Sequence, residues 1–196
     1  MLNLIKKKSN LIHKTAVVNW KKVSIGKNNI IGPYVVIGNF AQHPRSKSYG
    51  VIEIGNNNVL NEYCNIHLPT KNKSKTSIGD NNYLMNSTTI DHDCVIENNI
   101  VLSSNVILGG NVYIMEGAQL GMKVCVHQNQ VIGSYSMIGM NSFITKKIKI
   151  IPGYKFYGKH AKKKTKNLLG LKRNKIDNLK LTYENNRYKK LFQKIK

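Results

Sequence analysis

From Ile78 to Ile144 every sixth residue is a branched aliphatic: Ile78, Leu84, Ile90, Ile96, Leu102, Leu108, Ile114, Leu120, Val126, Ile132, Ile138 and Ile144. An α-helix repeats every 3.6 residues and a strand every 2, so neither accounts for the pattern. A period of six belongs to a parallel β-helix of hexapeptides, each repeat a short strand and a turn. Three repeats close one triangular rung. The aliphatic residue points inward and stacks on its equivalent in the next rung.

The ladder extends upstream. Ile54, Leu60 and Ile66 keep the phase, and Asn72 breaks it within 71–75, a polar stretch that reads as a loop. Ile25, Ile31 and Ile37 repeat by six in a phase shifted by one, and Ile12 and Val18 form a first pair. Small or β-branched residues sit four positions after many anchors (Thr88, Cys94, Val106, Val112, Ala118, Val124, Ser136, Ser142) and suit a second inward position. Asn runs at 28–29, 56–58, 81–82 and 98–99 fall where corners are due. Asn tolerates left-handed backbone angles, which tight corners need. The fold class is therefore all-β, a parallel β-helix.

The period fades near Ile151-Pro152-Gly153-Tyr154. This divides the chain into a coil, 1–157, and a basic, mainly helical tail, 158–196. Ile176, Leu179, Tyr183, Arg187, Leu191 and Ile195 are spaced as one helical face, which predicts a helix that caps the last rung. A total of 196 residues fits one domain plus a tail. No apolar run spans a bilayer, so no transmembrane segment is predicted. Lys6-Lys7-Lys8 follows the first apolar patch, the wrong order for a signal peptide, so a cytoplasmic protein is expected. Cys64, Cys94 and Cys125 lie within repeats and read as reduced packing residues.

Charge is unevenly spread. Residues 1–75 carry a net +10, 76–145 a net −4 and 146–196 a net +16, together the +22 of the chain. Basic ends on a neutral-to-acidic coil imply an anionic partner. Nucleic acid is not expected, because aromatics are not interleaved with the lysines and no nucleic-acid module is visible.

Of six histidines, His92 stands out in Ile90-Asp91-His92-Asp93-Cys94, two residues after an anchor, where a corner exposes the ring. One rung on it overlies Gly110, and two rungs on Gln128. With rungs ~4.8 Å apart, His92, Gly110, Asn111 and His127 line one edge within ~10 Å. A histidine between two aspartates suits a general base near neutral pH.

The hexapeptide ladder, Ile12-His13-Lys14-Thr15-Ala16-Val17-Val18, Asp91-His92-Asp93-Cys94, Val126-His127-Gln128 and Asn167-Leu168-Leu169-Gly170-Leu171-Lys172-Arg173 together resemble the UDP-N-acetylglucosamine acyltransferase family of lipid A (lipopolysaccharide) synthesis. The resemblance covers about residues 12–175. It implies a homotrimer of left-handed β-helices with sites between subunits. It also implies a 3-hydroxyacyl thioester on acyl carrier protein as donor, with no bound cofactor and no metal. Carried over by position, His92 is the base, Asp93 orients it, and the Gly110 N–H binds the thioester oxyanion. His127 lines the cleft, Asn167 and Arg173 meet the nucleotide, and Lys47 is the counterpart of a substrate-loop lysine. Asn111 and Thr89 stand where the family has histidines. Leu169 and Asn174 replace a glutamate and an arginine, and the loop 41–50 is shorter. Gly158-Lys159-His160-Ala161-Lys162 resembles a run of the coenzyme A-dependent hexapeptide transferases, which keeps coenzyme A as an alternative donor. Gly158, Lys162, Lys163, Lys164 and Lys166 are the candidate donor-binding residues.

The expected function is acyl transfer, 3-hydroxyacyl by implication, from acyl carrier protein to a nucleotide-activated hexose. The alternative is N-acylation of a dTDP- or UDP-linked amino sugar for a surface glycan, from carrier protein or coenzyme A. A third reading is a non-catalytic β-helix, either a structural scaffold or a metal-binding relative of the carbonic anhydrases of this fold, which need three histidines at subunit interfaces. The edge offers His92 and His127 with Asn111 between them.

Overall fold

The computed structural model describes residues 4–7, 9–44 and 50–195. The chain folds as the predicted left-handed parallel β-helix with a short C-terminal helical tail. Its strands form three sheets, here faces A, B and C. The parallel strands of face A run from Asn10–His13 to Tyr154–Tyr157, with an antiparallel strand added at each end (Leu4–Lys7 and Lys162–Lys166); face B runs from Val17–Val18 to Phe143–Ile144, and face C from Val23–Ile25 to Val131–Ile132. Within the regular coil each strand pairs in parallel with the strand eighteen residues on: Thr89 lies against Ile107, Ile107 against Cys125, and Cys125 against Phe143.

The sixth-residue anchors are the core. Leu84, Ile90, Leu102, Leu108, Ile132 and Ile138 are fully buried. The period runs on through Ile150 to Phe156, both buried. The residues four after the anchors, Thr88 to Ser142 in the series above, are buried as well. Cys64 and Cys94 are among the buried residues, and burial pushes both thiols up to about 12. They pack as the sequence suggests.

The paired asparagines divide their work. One residue of each run turns the corner: Asn28, Asn57, Asn81 and Asn99 have φ of 59, 56, 57 and 59°. The residue after it lies inside, Asn29, Asn58 and Asn82 in the first three and Ile100 in the last. The Asn29 amide donates to Asn10 Oδ1 at 3.0 Å and the Asn58 amide to Asn29 Oδ1 at 3.0 Å. Asn58 Oδ1 then accepts the Asn82 N–H, and Asn82 Oδ1 the Ile100 N–H, both at 2.8 Å. These amides are at most 3% exposed and form a ladder along the C–A edge, which satisfies buried polar groups that would otherwise be costly. Local turn chemistry alone does not reveal it.

Every departure from the period of six up to Phe156 falls on one edge. Val18 to Ile25 spans seven residues, Ile37 to Ile54 seventeen and Ile66 to Ile78 twelve. Each is the passage from face B to face C. The B–C edge therefore carries two insertions, after Asn39 and after His67, in the rungs before His92. The second loop is shorter than the polar stretch suggests, because Lys75 already begins the strand Lys75–Ile78.

The tail differs from expectation in two ways. It is not helical from its start: Lys162–Lys166 forms a strand antiparallel to Tyr154–Tyr157 and ends face A. Two helices follow, α1 (Leu168–Arg173) and α2 (Asn178–Ile195). Secondly, α2 buries Leu181, Glu184 and Tyr188, whereas Leu179 and Tyr183, expected inward, are 82% and 62% exposed. The face turns because Glu184 is held inside. Its carboxylate accepts from Ser134 Oγ at 2.6 Å and Arg187 at 3.1 Å, and Arg187 also pairs with Glu97. Tyr188 packs with Met115 and Val131, so α2 lies on the outer surface of face C. Among the described residues no helix is long and apolar enough to cross a membrane.

Candidate active site

His92 leaves face B after Thr89–Ile90 and turns the B–C corner. Asp93 takes the left-handed corner conformation, φ 60°. This turn swings the Asp93 carboxylate back onto the imidazole, with His92 Nδ1 2.9 Å from Asp93 Oδ2. Burial pushes the Asp93 carboxyl up, but hydrogen bonds from His92 and Thr70 outweigh it and hold the group well below the usual carboxylate range. An ionised Asp93 only accepts, so Nδ1 carries the proton and Nε2 the lone pair. The bond to Asp93 raises the His92 pKa above that of an ordinary imidazole, against the opposing effect of burial.

The insertions complete the setting. Thr70, in the loop after His67, donates from Oγ1 and N–H to Asp93 Oδ2 at 2.7 and 3.1 Å. Thr76 accepts the Asp93 N–H at 3.0 Å and donates to the His67 carbonyl, also at 3.0 Å. His43, in the other insertion, meets the His92 ring edge-on, centroids 5.8 Å apart. On the opposite side the ring presses on Gly110. A Cβ built there would lie 2.2 Å from His92 Cε1 and 2.3 Å from Nε2. Glycine at 110 is what allows the imidazole to lie flat along the column.

Below, Asn111 turns the next corner at φ 59°, and its amide donates to Asn129 Oδ1 at 2.7 Å. His127 is exposed one rung further, and its Nδ1 donates to the Gln128 carbonyl at 3.0 Å, which leaves Nε2 as an acceptor. Thr89 is half-buried on face B beside the corner. The chain thus brings His92, Asp93, Gly110, Asn111, His127 and Thr89 together. Lys47 lies outside the described residues.

The remaining expected residues are not at this corner within one chain. Asn167 is buried: its amide donates to the Tyr135 carbonyl at 3.0 Å and its Oδ1 accepts the Gly170 N–H, so it caps α1 near the C–A edge. Arg173 ends α1 and is exposed. Gly158 has φ 108°, and Lys162, Lys163, Lys164 and Lys166 are exposed on the last strand of face A. Lys163 and Lys164 lie 4.1 and 5.2 Å over the rings of Tyr154 and Tyr157. A cavity of about 550 Å³ lies elsewhere, between α2 and Ile151, lined by Lys149, Tyr188 and Phe192. It holds no acid–base pair; the B–C corner does. Sequence reasoning missed His43, His67 and Thr70. The signal that finds them is the shared position of both insertions.

Among curated proteins, the chain is 33% identical over 150 residues to an acyl-acyl-carrier-protein–UDP-N-acetylglucosamine O-acyltransferase of Synechocystis, covering 76% of this chain and 54% of that one. It is 32% identical over 172 residues to the like-named protein of Nautilia profundicola, covering 87% and 66%. The crystal structure of a UDP-N-acetylglucosamine acyltransferase from Bacteroides fragilis superposes with a TM-score of 0.82 at 29% identity, covering 92% of this chain and 70% of that one. The chain spans about half the length of the first curated relatives it matches. No protein-family model matches it. Fold, corner and likeness define a left-handed β-helix of the hexapeptide-repeat acyltransferase class. Within that class the chain belongs to the UDP-N-acetylglucosamine acyltransferase family.

Proposed function

We propose that this chain transfers an acyl group, 3-hydroxyacyl, from acyl carrier protein to a nucleotide-linked hexose in the cytoplasm. The observation that carries the reading is the His92–Asp93 pair laid on Gly110, in a family of acyl carrier protein–dependent sugar acyltransferases. The acceptor hydroxyl gives its proton to His92 Nε2 as its oxygen attacks the thioester carbonyl. The Gly110 N–H steadies the oxyanion, a contribution of about 3 kcal/mol for such donors. The C–S bond then breaks and the thiolate takes the proton from His92. Asp93 holds the imidazolium and its tautomer throughout. Asn111, His127 and Thr89 form the acceptor side.

The working unit is a homotrimer. Tyr34 stacks on Tyr63 at 5.3 Å along the A–B edge, where Met122 and Met140 are 47% and 60% exposed, with Ile107 and Phe143 exposed beside them on face B. These two apolar stretches of the edge, separated by the polar corners at Asn86 and Ser104, are surfaces that an interface would cover. In an assembly of this kind a neighbouring subunit closes the open corner and supplies the Asn167 and Arg173 region. The exposed lysines at 162–166, with Gly158, receive the acidic carrier protein.

An amine acceptor on a dTDP- or UDP-linked sugar is the second reading. Asp91 favours it, since a second carboxylate beside His92 suits a protonated amine. Mass spectrometry of a panel of nucleotide sugars, each offered acyl carrier protein and coenzyme A thioesters, tests both. One acylated hexose with carrier protein as donor is expected. No acyl transfer to any nucleotide sugar refutes the proposal.

A further inference from the structure

The Asp93–His92 pair accounts for one of the two carboxylates at the corner. The other, Asp91, belongs to a separate set of contacts. Asp91 Oδ1 accepts the His92 backbone N–H at 2.8 Å. The same oxygen lies 3.4 Å from Nδ1 of His67, whose side chain is 4% exposed. His67 is the residue before the second insertion, and its buried Nδ1 makes no hydrogen bond among the described residues, which leaves the 3.4 Å approach to Asp91 as its polar contact. Its carbonyl accepts from Thr76 Oγ1, which in turn accepts the Asp93 N–H. His67 therefore approaches Asp91 through its ring and is linked to Asp93 through Thr76.

We propose that His67 and Asp91 form a positioning pair that sets the basicity and orientation of His92. It rests on the reading of His92 as the base. Asp91 fixes the His92 backbone through its N–H, and Asp93 fixes the ring. Both carboxylates stabilise the imidazolium that forms when the acceptor loses its proton. His67 keeps the Asp91 carboxylate ionised and aimed at the turn: burial pushes that carboxyl up, and the His67 ring 3.4 Å away together with the His92 N–H outweighs it. The groups facing His92 are thus Asp91 and Asp93 from its own turn, Thr70 and His43 from the insertions, and Gly110 from the next rung. A base flanked by two anions is stronger, and its working range moves to higher pH.

The test reads His92 directly, by NMR titration of its imidazole in the full chain. Asp91→Asn keeps an acceptor for the His92 N–H but removes the charge. The His92 midpoint is expected to fall, as it should in Asp93→Asn. It should stay unchanged in Glu53→Gln, on face C. With the acylated substrate identified, the acid limb of kcat/KM should shift to lower pH in step, and the alkaline plateau should drop a few-fold. His67→Gln supplies an independent variant: the Asp91 carboxyl should titrate at higher pH and the His92 midpoint should fall. An unchanged His92 midpoint in folded Asp91→Asn or His67→Gln overturns the proposal and leaves Asp91 as a turn cap. A midpoint that falls in a protein without acyltransferase activity upholds the pairing and refutes the proposed reaction instead.

Discussion

Replacing Gly110 by alanine isolates the geometry of the base from the stability of the coil. The new methyl would sit 2.2–2.8 Å from three ring atoms of His92, inside van der Waals contact with each. The imidazole is the movable party, since the other side of the contact is rung backbone. It swings outward and leaves Asp93. The stability terms are small and opposed. The lost His92–Asp93 bond is only partly buried and costs ~1 kcal/mol. Alanine for glycine recovers ~0.5 kcal/mol through the unfolded chain. Melting should move by less than ~4 °C. Activity should respond far more, because the base loses its place over the reacting atoms: kcat/KM falls about 10²-fold or more, ~3 kcal/mol of barrier. Steady-state kinetics with the acylated sugar and a thermal melt measure the two quantities on one preparation. A variant with near-wild-type kcat/KM refutes the placement of His92 over Gly110 as the working geometry. A melting temperature lowered by more than ~10 °C assigns the glycine to packing instead.

Other consequences are measurable. His92→Ala should lower turnover 10²- to 10⁴-fold, about the range for a positioned base, without loss of fold by circular dichroism. The His92 pKa is raised in the folded chain, so the acid limb of kcat/KM should lie above the ordinary imidazole range; a limb at or below that range contradicts the Asp93 contact. The linked stability has the opposite sense for the two partners. The His92 contribution is present at low pH and lost as pH rises through its raised pKa; the Asp93 contribution is present above the ordinary carboxylate pKa and lost as pH falls through its lowered one, as chemical denaturation across pH would show. Arg187→Ala strands the buried Glu184 and should cost about 3 kcal/mol, and Glu184→Gln in the same chain should recover part of it. If acyl carrier protein docks on the last strand, activity with its thioester should fall several-fold from low to high salt, and Lys162→Glu with Lys163→Glu should lower it further; coenzyme A thioesters with equal rate and equal salt response would end that assignment.

The coil was legible because its signal is repeated. Twelve anchors in phase fix the strands, their inward faces and the eighteen-residue register, and the register alone lays His92 over Gly110. The B–C corner was legible for the same reason, down to Asp93. What escaped notice was non-periodic. His43 and Thr70 lie in insertions, where no repeat says which way the chain folds back. His67 directly follows the anchor Ile66, a position the repeat assigns no contact, and its ring is found against Asp91. In α2 the apolar spacing pointed to Leu179 and Tyr183. A buried carboxylate at Glu184, held by Ser134 from the coil and by Arg187, turned the helix away from that face. Ser134 lies fifty residues from Glu184, beyond any helical pattern.

The distribution of insertions explains why chemistry sits at this corner. A hexapeptide rung spends its inward positions on packing and most of its backbone on the parallel ladder, so only corners and outward positions can carry function. Along the A–B and C–A edges the period of six is unbroken, and the C–A edge in the upper coil is closed by the asparagine ladder. Along the B–C edge the chain departs three times, each time in rungs before His92. The result is an imidazole held on one side by rigid rungs and on the other by loops. Gly110 and the strand register fix where the imidazole lies to within the play of one side chain. Thr70, His43 and the Asp91–His67 pair set its charge and what can approach it. On the proposed reaction, a change of acceptor would therefore fall on the insertions and on outward positions such as Thr89 and Asn111, and would leave the His92–Gly110 column in place.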